Sequence, residues 1–271
     1  MSTNTPNKYE LPPAQSSKSG ISVSAIISII LVCILGAMLV CSGLFSLLIY
    51  PTLIRNRDIT QRLKCSNNLS QIAKAIQNYE STYQQLPPAY TVDAEGKRLH
   101  SWRTLILPFM GEQALYSRID LSKPWDDPAN AFLKELDVSL FRCPSSKIAP
   151  GMTTYQAIDD PRIAFPGSTP QKIENISDGT SNTILLFESD VLDAVHWAEP
   201  KDESKSSFLS ASRLQARINN DSSPVKFSHR GGRNAVMVDG STKFVPNGIN
   251  LEILEGLATS QGEEAVELDN K

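Results

Sequence analysis

A run of thirty uncharged residues, Ile21 to Tyr50, constrains this chain more than any other feature of its sequence. About 20 apolar residues span the hydrocarbon core of a bilayer, and a helix of this run would be about 45 Å long. Because lipid offers no hydrogen-bond partner to the backbone, a run that crosses a membrane must be helical. We therefore predict a transmembrane helix over 21–50 that is retained as an anchor. A cleaved signal sequence and a buried helix of a soluble protein remain as alternatives.

Small residues recur along this run at helical spacing. Cys33, Ala37 and Cys41 lie four residues apart, and Gly36 and Gly43 lie on an adjoining face. Rows of this kind allow two membrane helices to approach closely. The row indicates association with a second helix, although small residues are also common in isolated spans.

Charge bears on orientation and on partners. With 26 basic and 29 acidic residues, the chain does not have the composition of a nucleic-acid-binding protein, and we expect no nucleic acid among its partners. The positive-inside rule places the flank richer in Lys and Arg in the cytoplasm. That flank is the C-terminal one, since two basic residues precede the run and four follow it closely: Lys8 and Lys18, then Arg55, Arg57, Arg62 and Lys64.

The remaining sequence divides by composition. Beyond Pro51, which we expect to break or kink the helix, apolar residues recur every three or four positions and predict an amphipathic helix that ends at Leu86-Pro87-Pro88. Its apolar stripe consists of Ile59, Leu63, Leu69, Ile72, Ile76, Tyr79 and Tyr83. The predicted segments are a disordered tail (1–20), the membrane helix (21–50), the amphipathic helix (51–86), a head domain (87–262) and an acidic tail (263–271).

Short runs rich in β-branched residues, separated by turn residues, predict an antiparallel sheet in the head. These runs are 183–187, 235–238 and 243–245, and Asp239-Gly240 lies between the last two at hairpin spacing. Short helices are expected over 102–116 and over 251–258, the latter capped by Asn250, and a long polar loop over 200–224. The fold class predicted is α+β, with the long N-terminal helix packed on an antiparallel sheet.

Several short motifs occur in an order that resembles a bacterial family. They are Cys65-Ser66-Asn67-Asn68-Leu69, Ser101-Trp102-Arg103, Pro124-Trp125-Asp126, Cys143-Pro144-Ser145, Asp178-Gly179-Thr180-Ser181-Asn182-Thr183 with Glu188, and His229 separated by nine residues from Asp239-Gly240-Ser241. Together they resemble the prepilin-like proteins that share a domain of unknown function (DUF1559) and a His-x(9)-Asp-Gly motif, known mainly from planctomycete-type bacteria. The chain departs from the usual prepilin leader, since it has neither a Gly-Phe pair nor a Glu in the apolar helix.

The resemblance implies a pilin-like or pseudopilin-like fold and a role in the bacterial envelope. It places the N-terminus in the cytoplasm and the C-terminal domain outside, against the local count of basic residues. The partners it implies are membrane lipid and, through the transmembrane helix, copies of this chain or other pilin-like proteins. We expect a structural or assembly function. The alternative is a membrane-tethered module outside the cytoplasm that binds a solute or a glycan.

Two cysteines, Cys65 and Cys143, lie outside the apolar run. In an oxidising compartment such a pair can form a disulfide, which here would close a loop of roughly 80 residues. The alternative is a pair of buried free thiols. Spacing along the sequence does not decide between them.

The acidic and histidine residues of the motifs suggest structural turns first, because Asp-Gly favours a tight turn. A weaker interpretation is a calcium site with oxygen ligands from Asp178, Asn182, Glu188 and Asp239. We expect no other cofactor. We also expect no enzymatic activity, because the sequence lacks a Gly-x-Ser-x-Gly elbow, a His-Glu-x-x-His pair and nucleotide-binding glycine loops.

The three tryptophans, Trp102, Trp125 and Trp197, are open to two interpretations. They could form an aromatic platform that stacks on a sugar. Alternatively, they pack in the core of the head, where large aromatic side chains contribute much of the burial energy.

Overall fold

The structure is a computed structural model that describes residues 22–217 and 227–260. The predictions for the two tails, 1–20 and 263–271, lie outside these residues. The chain divides into two compact units, residues 1–54 and residues 55–271, which are described separately.

The first unit contains the beginning of a long helix, α1, which extends from Val23 to Tyr83. Within it, Val23–Phe45 is long and apolar enough to cross a membrane, and none of it is buried against the rest of the chain. A signal sequence near an N-terminus has the same properties. Pro51 does not end the helix, so of the predicted break or kink the break is wrong.

In the second unit, α1 contributes one face to the hydrophobic core. The buried residues follow helical spacing and are Cys65, Leu69, Ile72, Ala73, Ala75 and Ile76. The ends of the predicted stripe are exposed, with Ile59, Leu63 and Tyr83 at 39%, 55% and 54% of full exposure. The helix ends three residues before the predicted stop, because Gln84 has a left-handed backbone (φ 58°) and its N–H donates to the carbonyl of Glu80.

A four-stranded antiparallel sheet shares this core with α1. Its strands are β4 (Tyr155–Gln156), β6 (Ile184–Glu188), β9 (Gly232–Met237) and β10 (Thr242–Pro246), in the order β10-β9-β6-β4. The three predicted strand runs coincide with β6, β9 and β10. The predicted α+β fold is therefore confirmed.

Three two-stranded pairs complete the strands of the described residues. Two are antiparallel and one is parallel: β1 (Tyr90–Val92) with β2 (Arg98–Ser101), β3 (Met152–Thr153) with β7 (Val195–His196), and the parallel pair β5 (Ile158–Asp159) with β8 (Glu203–Ser204).

The hairpin between β9 and β10 forms at Asp239-Gly240, as predicted. A carboxylate oxygen of Asp239 accepts hydrogen bonds from the backbone N–H and the hydroxyl of Ser241. Gly240 has a φ of 83°, and a Cβ there would lie 2.8 Å from the side-chain nitrogen of Gln77 on α1. Both the turn and the close approach to α1 therefore favour glycine.

The first of the predicted short helices is not continuous. The helix expected over 102–116 is divided at Ile106 and at Gly111 (φ 82°) into α2 (Trp102–Leu105), a 3₁₀ turn (Leu107–Met110) and α3 (Gln113–Tyr116). Further 3₁₀ segments are Pro128–Glu135, Ser139–Phe141, Ile173–Asn175 and Val191–Asp193.

The long loop predicted over 200–224 is wrong for its described part. Residues Lys205–Arg217 form helix α4, which buries Phe208 against Phe187 of β6 with the ring centroids 4.6 Å apart. The predicted C-terminal helix is confirmed as α5 (Leu251–Leu257), and the side chain of Asn250 caps it by accepting the N–H of Glu252.

Candidate functional site

A buried disulfide joins α1 to the segment that follows the 3₁₀ turn Ser139–Phe141. Cys65 and Cys143 are bonded, with their Cα atoms 5.1 Å apart and 78 positions apart in the sequence. Both residues are completely buried. The predicted disulfide is confirmed, and the alternative of two free thiols is wrong.

A buried histidine and a buried carboxylate lie against this disulfide. The Nε2 atom of His229 is 3.2 Å from Oε1 of Glu188 and 3.7 Å from Sγ of Cys143. Neither the His229 side chain nor the Glu188 side chain has any solvent exposure. We name these four residues, Cys65, Cys143, Glu188 and His229, the disulfide–histidine cluster.

The sheet fixes the position of both side chains. Glu188 is the last residue of β6, and its second oxygen accepts the backbone N–H of Asn234 in β9 at 2.9 Å. His229 precedes β9 and forms an isolated bridge with Gly232. Because β6 and β9 are neighbouring antiparallel strands, the end of one meets the beginning of the other at this edge.

Tyr155 of β4 lies beside the same cluster. Its hydroxyl donates to the carbonyl of Cys65 at 3.4 Å. Burial raises the pKa of Tyr155 well above its usual value, and the negative charge of Glu188 acts in the same direction. The phenol is therefore a neutral donor at physiological pH.

The cluster brings together donor atoms that metals accept. The two sulfurs, a nitrogen of His229 and an oxygen of Glu188 all lie within 4.8 Å of one another. In the disulfide state the sulfurs are bonded to each other, so the pair is not available as two thiolates.

The acidic turn motif has a structural role at another place. The backbone N–H groups of Ser177 and Asp178 both contact the carbonyl of Ser260, and the hydroxyl of Thr259 donates to the Asp178 carboxylate. Gly179, with a φ of 90°, continues the turn. The motif thus joins the approach to β6 to the end of α5.

The four predicted calcium ligands do not lie together. The backbone N–H of Asp239 donates to the carbonyl of Thr180, in the turn that begins at Asp178-Gly179. Asn182 lies in this same turn. Glu188 lies at the other end of β6, about 15 Å away at the ordinary rise of a strand. The set Asp178, Asn182, Glu188 and Asp239 is therefore not one coordination site. By the same geometry, His229 and Asp239 lie at opposite ends of β9.

The tryptophans do not form a sugar-binding platform. Trp102 and Trp197 are 0% and 1% exposed, and both pack on Phe141, at centroid distances of 6.3 and 6.0 Å. Trp125 is half-buried and stacks on His196. The core-packing interpretation is correct for Trp102 and Trp197, because their faces are covered by other aromatic rings.

Comparison with protein families identifies one segment of the chain. Residues 56–162 match the family described as protein of unknown function (DUF1559). The predicted resemblance to this family is confirmed over these residues, and the His-x(9)-Asp-Gly motif lies outside them. Comparisons with curated proteins and with solved structures find no match. The DUF1559 segment contains both bonded cysteines, whereas Glu188 and His229 lie beyond it.

A buried ion pair between the DUF1559 segment and a residue beyond it was not predicted as a site. Arg103, from the Ser-Trp-Arg motif, contacts Asp202 at 2.6 Å, and both side chains are buried. Asp202 also accepts the indole N–H of Trp102 and the backbone N–H of Ala157. Burial raises the pKa of Asp202 and lowers that of Arg103, and each partner opposes the shift of the other. Arg103 belongs to a motif that carries the family resemblance, but nothing in the sequence indicated Asp202 as its partner.

A second buried pair of charges was also missed. The Arg233 guanidinium stacks on Phe208 at 4.1 Å from the ring centroid, and it is buried near Glu203. Burial raises the pKa of Glu203 to about 7, although Arg233 acts in the opposite direction. Burial lowers the pKa of Arg233 to about 10. Neither residue belongs to a sequence motif, so no local signal identified them.

Proposed function

We propose that this chain is a single-pass membrane protein of the bacterial envelope, with its N-terminus in the cytoplasm and residues 55–271 outside. We propose further that its role is structural, through assembly with copies of itself or with other pilin-like proteins. The observation that carries the proposal is the combination of one exposed apolar helix, Val23–Phe45, with a fully buried disulfide in the domain that follows.

The disulfide supports the outward orientation of the domain. Structural disulfides persist in the bacterial periplasm and at cell surfaces and are rare in the cytosol. The opposing signal was the count of basic residues after the apolar run. One of them, Arg62, lies 4.4 Å from the ring centroid of Phe244, and its carbonyl accepts from Asn234. At least this one of the four basic residues therefore packs within the domain, in addition to flanking the apolar run.

The placement of the polar motifs supports a role without catalysis. The disulfide–histidine cluster is closed to solvent. The acidic turn motif is engaged in backbone contacts between β6, the hairpin and α5. The alternative of a glycan-binding module loses the support of Trp102 and Trp197, whose rings are covered.

Membrane extraction tests the anchor. Full-length chain is expected to stay with the membrane in alkaline carbonate and to enter detergent, and its mass should include Val23–Phe45. A variant lacking 21–50 is expected in the soluble fraction. Recovery of the full-length chain without detergent, or of a mature chain that has lost the apolar helix, would contradict the proposal.

Cross-linking in the membrane tests assembly. Cys33 and Cys41 are free and exposed on α1. Oxidation of membranes should give covalent dimers through one or both of these cysteines. The matched control is Leu39→Cys in a Cys33→Ser/Cys41→Ser background, which moves the thiol to the opposite face of the helix. Equal cross-linking from both faces, or monomers only, would contradict assembly through the small-residue row.

A further inference from the structure

We propose that the disulfide–histidine cluster is also a metal site. When the Cys65–Cys143 disulfide is reduced, the two thiolates, Nε2 of His229 and one carboxylate oxygen of Glu188 bind a single Zn²⁺. Disulfide and metal are then alternative cross-links at the same place. This proposal stands on the geometry of the cluster alone and does not depend on the orientation of the chain in a membrane.

The distances are close to those that zinc requires. Tetrahedral zinc with bonds of about 2.0–2.3 Å holds neighbouring donor atoms roughly 3.3–3.8 Å apart. Nε2 of His229 already lies 3.2 Å from Glu188 Oε1 and 3.7 Å from Cys143 Sγ. All four donors are within 4.8 Å of one another. The main movement needed is separation of the two sulfurs after their bond is broken.

The donor types favour zinc over the hard cations. Two thiolates and an imidazole select a thiophilic metal, whereas Ca²⁺ and Mg²⁺ prefer sites made only of oxygen ligands. Four protein ligands and no solvent exposure are typical of a structural zinc site. The N–H of Asn234 holds the free oxygen of Glu188 at 2.9 Å, so the carboxylate is already oriented.

The exchange leaves the buried charge unchanged. Reduction of the disulfide to two thiolates adds two negative charges to the cluster. Binding of one Zn²⁺ adds two positive charges, so the sum does not change. Because burying additional charge is expensive, a metal state of equal charge is the one the enclosed site can accept.

The reaction is balanced with a thiol reductant. The S–S bond breaks and receives two electrons from two thiols of the reductant, which become joined as a new disulfide. The Cys65 and Cys143 sulfurs bind Zn²⁺ as thiolates, and two protons are released. In both states α1 stays tied to the segment at Cys143 and to the sheet.

Cobalt binding tests the proposal on the full-length chain in detergent. A Cys33→Ser/Cys41→Ser background leaves only the two cluster cysteines. After reduction with a phosphine and removal of metal, Co²⁺ is expected to bind once per chain, to give a thiolate-to-cobalt charge-transfer band and to be displaced by Zn²⁺. The oxidised chain should give no such band. A reduced chain with two titratable thiols that binds no cobalt would overturn the proposal.

Two variants assign the other ligands. His229→Gln and Glu188→Gln are each expected to weaken cobalt binding by roughly tenfold or more. The matched control is His100→Gln, which changes another fully buried histidine outside the cluster and should leave the affinity unchanged. Unchanged affinity in His229→Gln would overturn the assignment.

Thiol protection provides a second measurement without altering a ligand. In the reduced chain of the same background, Zn²⁺ is expected to slow alkylation of Cys65 and Cys143 and to slow re-formation of their disulfide. Equal rates with and without Zn²⁺ would contradict the proposal. If reduction alone unfolds the domain, Zn²⁺ must restore its circular-dichroism spectrum. Failure to do so also counts against the site.

Discussion

At the residue scale, the buried carboxylate of Asp202 is a point where several interactions meet. Asp202 accepts from the Arg103 guanidinium, the Trp102 indole and a backbone N–H at once. The guanidinium also donates to the Tyr155 carbonyl and the Ser101 hydroxyl, but Asp202 is its charged partner. A buried ion pair is not strongly stabilising in itself, but removal of one partner leaves the other charge uncompensated.

Asp202→Ala should therefore lower the free energy of unfolding by about 3–5 kcal/mol. The matched control is Asp159→Ala, which removes the partner of Arg98 from a pair whose side chains are 31% and 40% exposed. Exposed pairs contribute about 1 kcal/mol or less. Denaturant titration of both variants in detergent checks the difference, and equal losses would contradict the role assigned to Asp202.

Glu203 should make the stability of the domain depend on pH. Its pKa is about 7 in the folded chain against an ordinary value of 4.5, so between these pH values the folded chain holds a proton that the unfolded chain has lost. Stability therefore decreases as pH rises through this interval, by at most about 3 kcal/mol.

The Glu203→Gln variant removes this titration. Relative to the variant, the wild-type chain should lose stability from pH 5 to pH 8, as measured by denaturant midpoints at several pH values. A constant difference between the two chains across this range would show that the buried carboxyl does not titrate there.

At the scale of elements, the disulfide ties α1 to the segment at Cys143, and helix α4 packs on the sheet through Phe208. The chain-entropy model assigns a cross-link over 78 residues a stabilisation of about 4.5 kcal/mol. The Cys65→Ser/Cys143→Ser variant should lose approximately this free energy in the presence of a chelator. Cys33→Ser/Cys41→Ser is the control and should unfold like the wild-type chain; similar stability of both variants would contradict the prediction.

Helix α4 depends on Phe208, which is fully buried against Phe187. Phe208→Ala should destabilise the domain by about 3–5 kcal/mol, because it leaves a cavity beside the Arg233 guanidinium. The exposed Ser210→Ala should have little effect. Denaturation of the two variants compares them directly, and a small loss in Phe208→Ala would mean that α4 does not complete the core.

Short sequence patterns predicted correctly the elements that depend on neighbouring residues alone. The hairpin at Asp239-Gly240, the strands beside it and the Asn250 cap each depend on a few adjacent residues, and all were predicted. Helix α4 was missed because its sequence is polar and rich in serine, and the burial of Phe208 depends on β6. The stop of α1 was misplaced because Gln84 adopts a left-handed backbone ahead of the prolines.

The candidate site required the tertiary structure. Cys65, Cys143, Glu188 and His229 were each singled out, but their convergence follows from the antiparallel pairing of β6 with β9 and from the packing of α1 on the sheet. The same pairing separates His229 from Asp239, although one short motif contains both. Spacing along a strand placed these two residues at opposite ends of it.

At the scale of the whole molecule, the proposed function joins a helix that is long and apolar enough to span a membrane to a domain with a buried disulfide. In the proposed orientation, the cysteines are oxidised on the far side of the membrane. The proposed function also requires the apolar helix to persist in the mature chain, with its N-terminal side in the cytoplasm.

The most direct test is a pair of reporters fused after Lys271 in a bacterial host. One is alkaline phosphatase, which is active only outside the cytoplasm, and the other is a reporter active only inside it. We expect an active phosphatase fusion, an inactive cytoplasmic reporter, and membrane-bound fusions that retain Val23–Phe45. Activity of the cytoplasmic reporter alone would show that the domain lies in the cytoplasm and would overturn the proposed function.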